Sequence, residues 1–423
     1  MNHSFNFNLL KSEAERLNGG QLSEIRRNAL NNLKNAKFPN KDHEDWKYTD
    51  ISEALDLFKK SLSTEQQSTY CPNKNNYQIM NQIDAHWIIL NNDIFTNKKT
   101  TQPKKEEIMV SLASSKEDET EILIDDPLSC LNAVLIKDAI KITIQKNTEF
   151  KKPIGIIWDG FLDQNIHCSN FRCIIEIKEN ASVNFIHVHE SKVDEPHFTN
   201  SIVQLDIARN SKANYLKIQN YPKHHTVIEK SVINLNDNAF INYTNIDLGG
   251  DLSRSDIIIN LNGEQSTANI NGVYLAGVDQ HIDNHITANH INQSTKSVQD
   301  FYGIIGKNGH CVFNGKALIK KGAIKSEANQ YNHNILLADN AVIDTKPELE
   351  IYTDDVKCSH GSTVGQLDKD ALFYMQSRGI NSSTAKKMLI TAFIKKILDK
   401  IDIQSSTNYL DSVISKKLHN LSS

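Results

Sequence analysis

One unit recurs through the middle of this 423-residue chain and narrows the folds open to it. It appears as CIIEIKENASVNF (Cys173–Phe185), LDIARNSKANY (Leu205–Tyr215), VINLNDNAFINY (Val232–Tyr243) and IIINLNGEQSTANI (Ile257–Ile270), then as ALIKKGAI (Ala317–Ile324) and ILLADNAVI (Ile335–Ile343). Each copy is an alternating apolar strand that reaches Asn, Asp or Gly, then Ala or Ser, before a second strand begins. The turn residues Asn180, Asn210, Asn238 and Gly263 stand 30, 28 and 25 residues apart. Such a period, with two or three short strands per unit, is the mark of stacked coils of strand. Asn and Gly suit the corners because they tolerate left-handed backbone angles. A jelly roll or sandwich also supplies many short strands, but its turns have no reason to recur so steadily. The pattern predicts a mainly β chain built on a parallel β-helix.

Around this core the texture differs. Leu22, Ile25, Ala29 and Leu33 form a helical stripe that stops before Phe38-Pro39. In KDHEDWKYTDI, Trp46 is expected to anchor this helical region on the body, with ligand stacking as the alternative. Residues 61–125 read as loops around one strand, His86–Leu90. At the far end, DKDALFYMQ (Asp368–Gln376) reads as a helix. Beyond the N-caps offered by Ser382, Ser383 and Thr384, a second helix carries Ala385, Met388, Leu389, Ala392, Phe393 and Ile397 as one stripe. A β-helix has open ends that need covering, and the terminal helices are expected to pack there; a partner surface is the alternative. The predicted organisation is an N-terminal helical and mixed region over 1–125, a β-helix over 126–366 and a C-terminal helical region over 367–423.

Composition excludes several classes. A net charge of −4, from 47 basic and 51 acidic residues, argues against a dedicated nucleic-acid binder. Six cysteines, at 71, 130, 168, 173, 311 and 358, form no CxxC pair, which fits a reducing cytosol rather than a disulfide framework. Cys71 and Cys130 are expected to be incidental thiols. The N-terminus lacks a basic start followed by an apolar core, and the longest apolar run, Met388–Ile394, is far short of a bilayer span. A soluble, cytoplasmic protein is expected. No GxxxxGK[ST], GxSxG, HExxH or GxGxxG occurs, so the chain is not expected to hydrolyse ATP itself.

The candidate chemistry lies in DDVKCSHGSTVGQLD, Asp354 to Asp368. Cys358 and His360 are two apart, so an extended strand turns both to one side. A sulfur beside an imidazole suits iron, zinc or copper(I), but a closed site wants four donors. The others must come from elsewhere in the chain or from a partner; a buried thiol beside a turn histidine is the plain alternative. HVHE gives His187 and His189 the same one-face spacing, and HH supplies His224 and His225. His281, His285 and His290 in HIDNHITANH are expected on strands and loops at the exterior. Asp256, Asp283 and Asp300 are the carboxylates a carbohydrate-active β-helix enzyme would need, though no motif orders them.

VYLAGVDQHIDNHITANH, DFYGIIGKNGHCVFNGKALIKKGA, ANQYNHNILLADNAVIDTKPELEIYTDDVKCSHGSTVGQLD and FYMQSRGI together resemble the SufB/SufD family of iron–sulfur cluster assembly proteins. The similarity runs from about Leu131 to Gly379 and over the tail, and is most specific from Ala338 to Asp368. FPNKDHEDWKYTDI and CSHG resemble the SufD branch; in the SufB branch the corresponding segment carries Glu after the His. The resemblance implies a right-handed parallel β-helix with flanking helices and a non-catalytic scaffold role. It also implies a SufB-like paralogue paired through the β-helix, an ABC-type SufC ATPase on the C-terminal helices, and sulfur from a cysteine desulfurase system. Cys358 and His360 match positions facing SufB, where a transient iron or iron–sulfur cluster would be shared between the chains. Leu372, Phe373, Met375, Met388, Leu389 and Phe393 would meet SufC. A reduced flavin is also associated with the family's complex, but no motif here locates one. A subunit that never touches the cluster, or a SufB-like scaffold that self-associates, are the alternatives. A homodimer of the isolated chain is expected from its exposed strand edge.

Overall fold

The structure, a computed structural model, describes residues 7–17, 22–63, 77–91, 94–96, 106–114, 122–159, 168–191 and 194–422. Strand makes up 44% and helix 26%, so the chain is mainly β, and its strands form a parallel solenoid of about 7 turns. Successive strands alternate between two facing sheets. From Ile140–Ile144 to Val342–Ile351 on one side, and from Ile154–Asp159 to Val356–Gln366 on the other, every pairing is parallel. We call the sheet ending in Val356–Gln366 sheet A and the other sheet B.

The corners account for the period. Asn147, Asn180, Asn210 and Asn238 have φ of 54–59°, the left-handed region, and their side chains stack as a ladder. Each amide donates to the oxygen of the one before: Asn180 to Asn147 at 3.0 Å, Asn210 to Asn180 and Asn238 to Asn210 at 3.2 Å. The corner then passes to Gln265, Ser294 and Lys325, not to Gly263. Gly263 is needed for another reason. A Cβ there would lie 2.0 Å from the backbone nitrogen of Asp237, so only glycine lets the two coils touch.

Alternation sends one face of each strand inward. Near the asparagine corner the interior is apolar, with Val183, Phe185, Ile233, Leu235, Ile241 and Ile259 at 1% exposure or less. Each such side chain stabilises the fold by about 1.5–3 kcal/mol. Toward the opposite corner the lining turns polar, with His187, His189, Lys217, Glu229 and Asp247.

The helical regions lie along the outer faces of the sheets and do not plug the ends, contrary to the expectation from sequence. Helices Phe7–Arg16, Leu22–Leu33, Ser52–Ser63 and Pro127–Leu135 share a core with Ile174, Phe198 and Ile228 of sheet B. Helices Ser382–Leu398 and Thr407–Ser422 pack on Val273, Leu275, Tyr302 and Ile304 of sheet A. A sheet of this kind exposes apolar outer faces as well as ends, and the larger surface takes the helices. The first turn is finished instead by two short antiparallel strands, Ile94–Thr96 and Ile108–Leu112, which offer little template for further pairing. With His86–Asn91 they make three strands where the sequence suggested one. Trp46 is an anchor as expected. It stacks on the Arg254 guanidinium, 3.7 Å from ring centroid to Cζ, and Arg254 is itself held by Asp256 and Asp283.

Candidate functional site at the open end of the solenoid

The last turn consists of Val342–Ile351 and Val356–Gln366, each paired on one side only. Among the described residues, almost nothing covers them. Val342, Ile351, Tyr352 and Val364 are 42–62% exposed, whereas Ile319 and Asn334, one turn back from Ile351 and Val364, are buried. Two parallel edges and an open lumen therefore face solvent.

Cys358 and His360 both sit on this final strand. Cys358 is in register with Ala328 and His360 with Gln330. Both partners are buried lining residues, so the two side chains lie on the lumen side, as their spacing predicts. Cys358 is half-buried against Ala317, Ile319, Ala323 and Ala328, and burial pushes its thiol above the ordinary range. The sulfur is accordingly held protonated until a metal or another cation draws the proton off. His360 is exposed. Beside it, the buried Gln330 donates from Nε2 to the Glu348 carbonyl at 3.3 Å, while its Oε1 has no partner. On the same turn, the Thr345 and Ser362 hydroxyls meet across the lumen at 3.0 Å. Among the described residues neither Cys358 nor His360 belongs to a group of three metal-ligating side chains. The chain offers two donors and an open approach.

The other candidates separate. Phe373 at 72% and Met388 at 50% are exposed, while Leu372, Met375 and Leu389 are half-buried. Phe393 packs on Tyr302 with ring centroids 4.8 Å apart, so its ring is not free for a partner. The buried stripe of that helix is Ala385, Ile390, Ile394 and Ile397, which turns Met388 and Ala392 outward, contrary to the sequence reading. Asp256 and Asp283 pair with Arg254 on sheet B, and Asp300 pairs with Lys400 beside sheet A, so these carboxylates form no common site. His281 and His285 are at the exterior as expected, but His290 is fully buried, bonded at 2.8 Å to both Thr295 and Ser297. Strand alternation sends it inward, since it lies an odd number of residues from both. His224 is exposed beside Asp194, whereas His225 is buried on Tyr221. Cys130 is a buried thiol donating to the Ile124 carbonyl; Cys71 lies outside the described residues. Sequence reasoning missed Glu229, which meets His187 and His189 across the lumen. Its distance along the chain gave no signal.

Two family descriptions match the chain: the SufBD core domain of SUF-system FeS cluster assembly over residues 161–393, and the SufBD protein N-terminal region over 7–156. Among individual proteins, the chain is 27% identical to the iron–sulfur cluster assembly protein SufD of Escherichia coli, over 88% of this chain and 87% of that one. It is 27% identical to an iron–sulfur cluster assembly SufBD family protein of Synechocystis, over 92% and 90%. Against the chloroplastic protein ABCI7 of Arabidopsis thaliana the identity is 25%, over 55% and 49%. With the core description alone spanning more than half of its residues, the chain belongs to the SufB/SufD family of SUF-system iron–sulfur cluster assembly proteins, as a homologue of SufD.

Proposed function

We propose that this chain is a non-catalytic scaffold subunit whose open solenoid end pairs with a SufB-like paralogue and contributes Cys358 and His360 to a shared site where an iron–sulfur cluster is built. The carrying observation is that two donors of the right kind stand on the lumen side of a strand with a free edge. A second solenoid that continues either sheet would satisfy the edge amides and carbonyls and bring its own donors to the same mouth. The cluster is cargo, held jointly and passed on. The neutral imidazole of His360 binds iron directly, while the half-buried Cys358 ligates as its proton leaves.

The C-terminal helices support a second contact. Phe373 and Tyr374 are exposed on helix Lys369–Ser377, which buries none of its own residues fully, and Met388 is exposed on the helix that follows. A SufC-like ATPase seated there would pull on the strand that precedes the helix, and that strand carries Cys358 and His360. ATP-driven approach of two such ATPases would bias the end between closed and open arrangements.

The test is co-expression with the cognate SufB-like and SufC-like chains and anaerobic purification. His360→Ala is expected to remove most of the visible iron–sulfur absorption while the three chains still co-purify. Full colour in that variant would reduce the chain to an architectural subunit. Cys358→Ala is expected to lose less, because its thiol is the more sheltered donor.

A further inference from the structure

A second cluster of metal-binding side chains lies inside the solenoid, far from the open end. Strand Ser182–Glu190 of sheet A turns His187 and His189 into the lumen, and strand His225–Leu235 of sheet B turns Glu229 toward them. All three are at most 1% exposed, and one donor atom from each lies within 4.8 Å of the others. Six strand spacings separate this place from the strand of Cys358 and His360, roughly 29 Å at about 4.8 Å per strand.

The hydrogen bonding is incomplete where these groups meet. His189 Nε2 is 2.7 Å from Glu229 Oε2. Among the described residues, Nδ1 of His189 and Nε2 of His187 have no hydrogen-bond partner. An orphaned buried polar atom is unfavourable, and a cation between these groups would satisfy it. The outer contacts are made. His187 Nδ1 is 2.8 Å from Tyr215 Oη, which in the tautomer donating Nδ1–H leaves the Nε2 lone pair facing the cluster. Lys217 Nζ is 3.1 Å from Glu229 Oε1 and donates to Ser255 Oγ at 2.9 Å, while the Ser231 hydroxyl donates to Oε1 and the Ser201 hydroxyl to Oε2, each at 3.2 Å, so both carboxylate oxygens are held in place. Trp158 meets both imidazoles edge to face, at 4.3 and 4.8 Å between centroids, and seals the site from water.

The donor chemistry points the same way. A second buried carboxyl, Asp247, stands nearby, its Oδ1 with no hydrogen-bond partner among the described residues. Two imidazoles and one carboxylate are the donor set of zinc and non-haem ferrous sites. Donors around a tetrahedral ion at about 2.0–2.2 Å lie about 3.4 Å apart, so on binding the widest separation in the present set, within 4.8 Å, closes and the 2.7 Å between His189 and Glu229 opens.

We propose that His187, His189 and Glu229 form a buried site for one divalent transition-metal ion, zinc or ferrous iron, with Tyr215 and Lys217 as its outer supports. The ion stabilises the middle of the solenoid and is independent of the cluster assembled at the open end.

Its test needs no assembly activity. The full chain is expressed in zinc- or iron-supplemented medium, and in parallel refolded anaerobically with cobalt(II), then desalted and assayed for metal content and visible ligand-field absorption. Wild type and His360→Ala are both expected to retain about one ion per chain, and His187→Gln and Glu229→Gln less than about a tenth of that. Tyr215→Phe preserves the packing and is expected to weaken cobalt binding about tenfold by freeing the His187 ring. A wild-type chain without metal under all three regimes overturns the site. So does a folded His187→Gln with wild-type content, or Tyr215→Phe with undiminished affinity.

Discussion

A single buried histidine gives this protein a defined response to acid. His290 has a hydroxyl at each ring nitrogen, from Thr295 and Ser297, and no acid beside it. Burial alone pushes it down to about 4, against about 6.5 in an unfolded chain. Above pH 6.5 both states are neutral and the residue is indifferent to pH. Between 6.5 and 4 the unfolded chain takes up a proton that the folded one refuses, so stability falls as pH falls, by roughly 1.4 kcal/mol per pH unit for this residue. His225, also pushed down to about 4 by burial, acts in the same direction. Urea midpoints at pH 7 and pH 5 measure the loss. His290→Gln is expected to lower stability at pH 7, where it gives up a hydroxyl bond, yet to decline less steeply toward pH 5. An unchanged slope would show that other groups set the acid limit.

At the scale of elements, the corners fix the register of the coils. Asn238 combines a φ of 54° with an amide that donates to Asn210. Asn238→Ala removes the ladder bond and places a side chain with no local compensation in the left-handed region, an expected loss of about 1–2 kcal/mol. Asn238→Gly relieves the backbone and loses only the ladder, so its urea midpoint should fall between wild type and alanine. The reverse order would mean that the ladder, not the backbone angle, holds the corner. These asparagines are why the solenoid was legible: the residue type and its interval carry one physical meaning. Gln265, Ser294 and Lys325 serve the same purpose without advertising it, because the coils stacked on either side impose the angle. The same limit applies to helix Ser382–Leu398. Its run MLITAFI is apolar on more than one side, so periodicity allowed two stripes, and only the sheet beneath selects Ile390 and Ile394 over Met388 and Ala392. Strand Ile108–Leu112 was lost among lysines and threonines because it is a short edge, for which patterning is weakest.

For the whole molecule, the two ends differ, and that difference directs association. The first turn closes on short antiparallel strands, while the last leaves strands of 10 and 11 residues with free edges. Half of the candidate site could be read from sequence, since Cys358 and His360 are two apart on one strand. The site across the lumen could not, because Glu229 lies on a different turn from His187 and His189 and only stacking brings them together. A free parallel edge with apolar side chains at its mouth pairs with whatever matching edge is present. In the absence of a paralogue, that is a second copy of the same chain. The purified protein is therefore expected to run as a dimer by light scattering. Val364 is half exposed on the lumen side of the terminal strand. Val364→Lys places an ammonium where the partner strand's lining would sit and should shift the population to monomer, with circular dichroism unchanged. Phe373→Ala, on the helix beyond, should leave the dimer intact. A monomeric wild type, or a dimer indifferent to Val364→Lys but broken by Phe373→Ala, would move the interface from the open end of the solenoid to its helical flank.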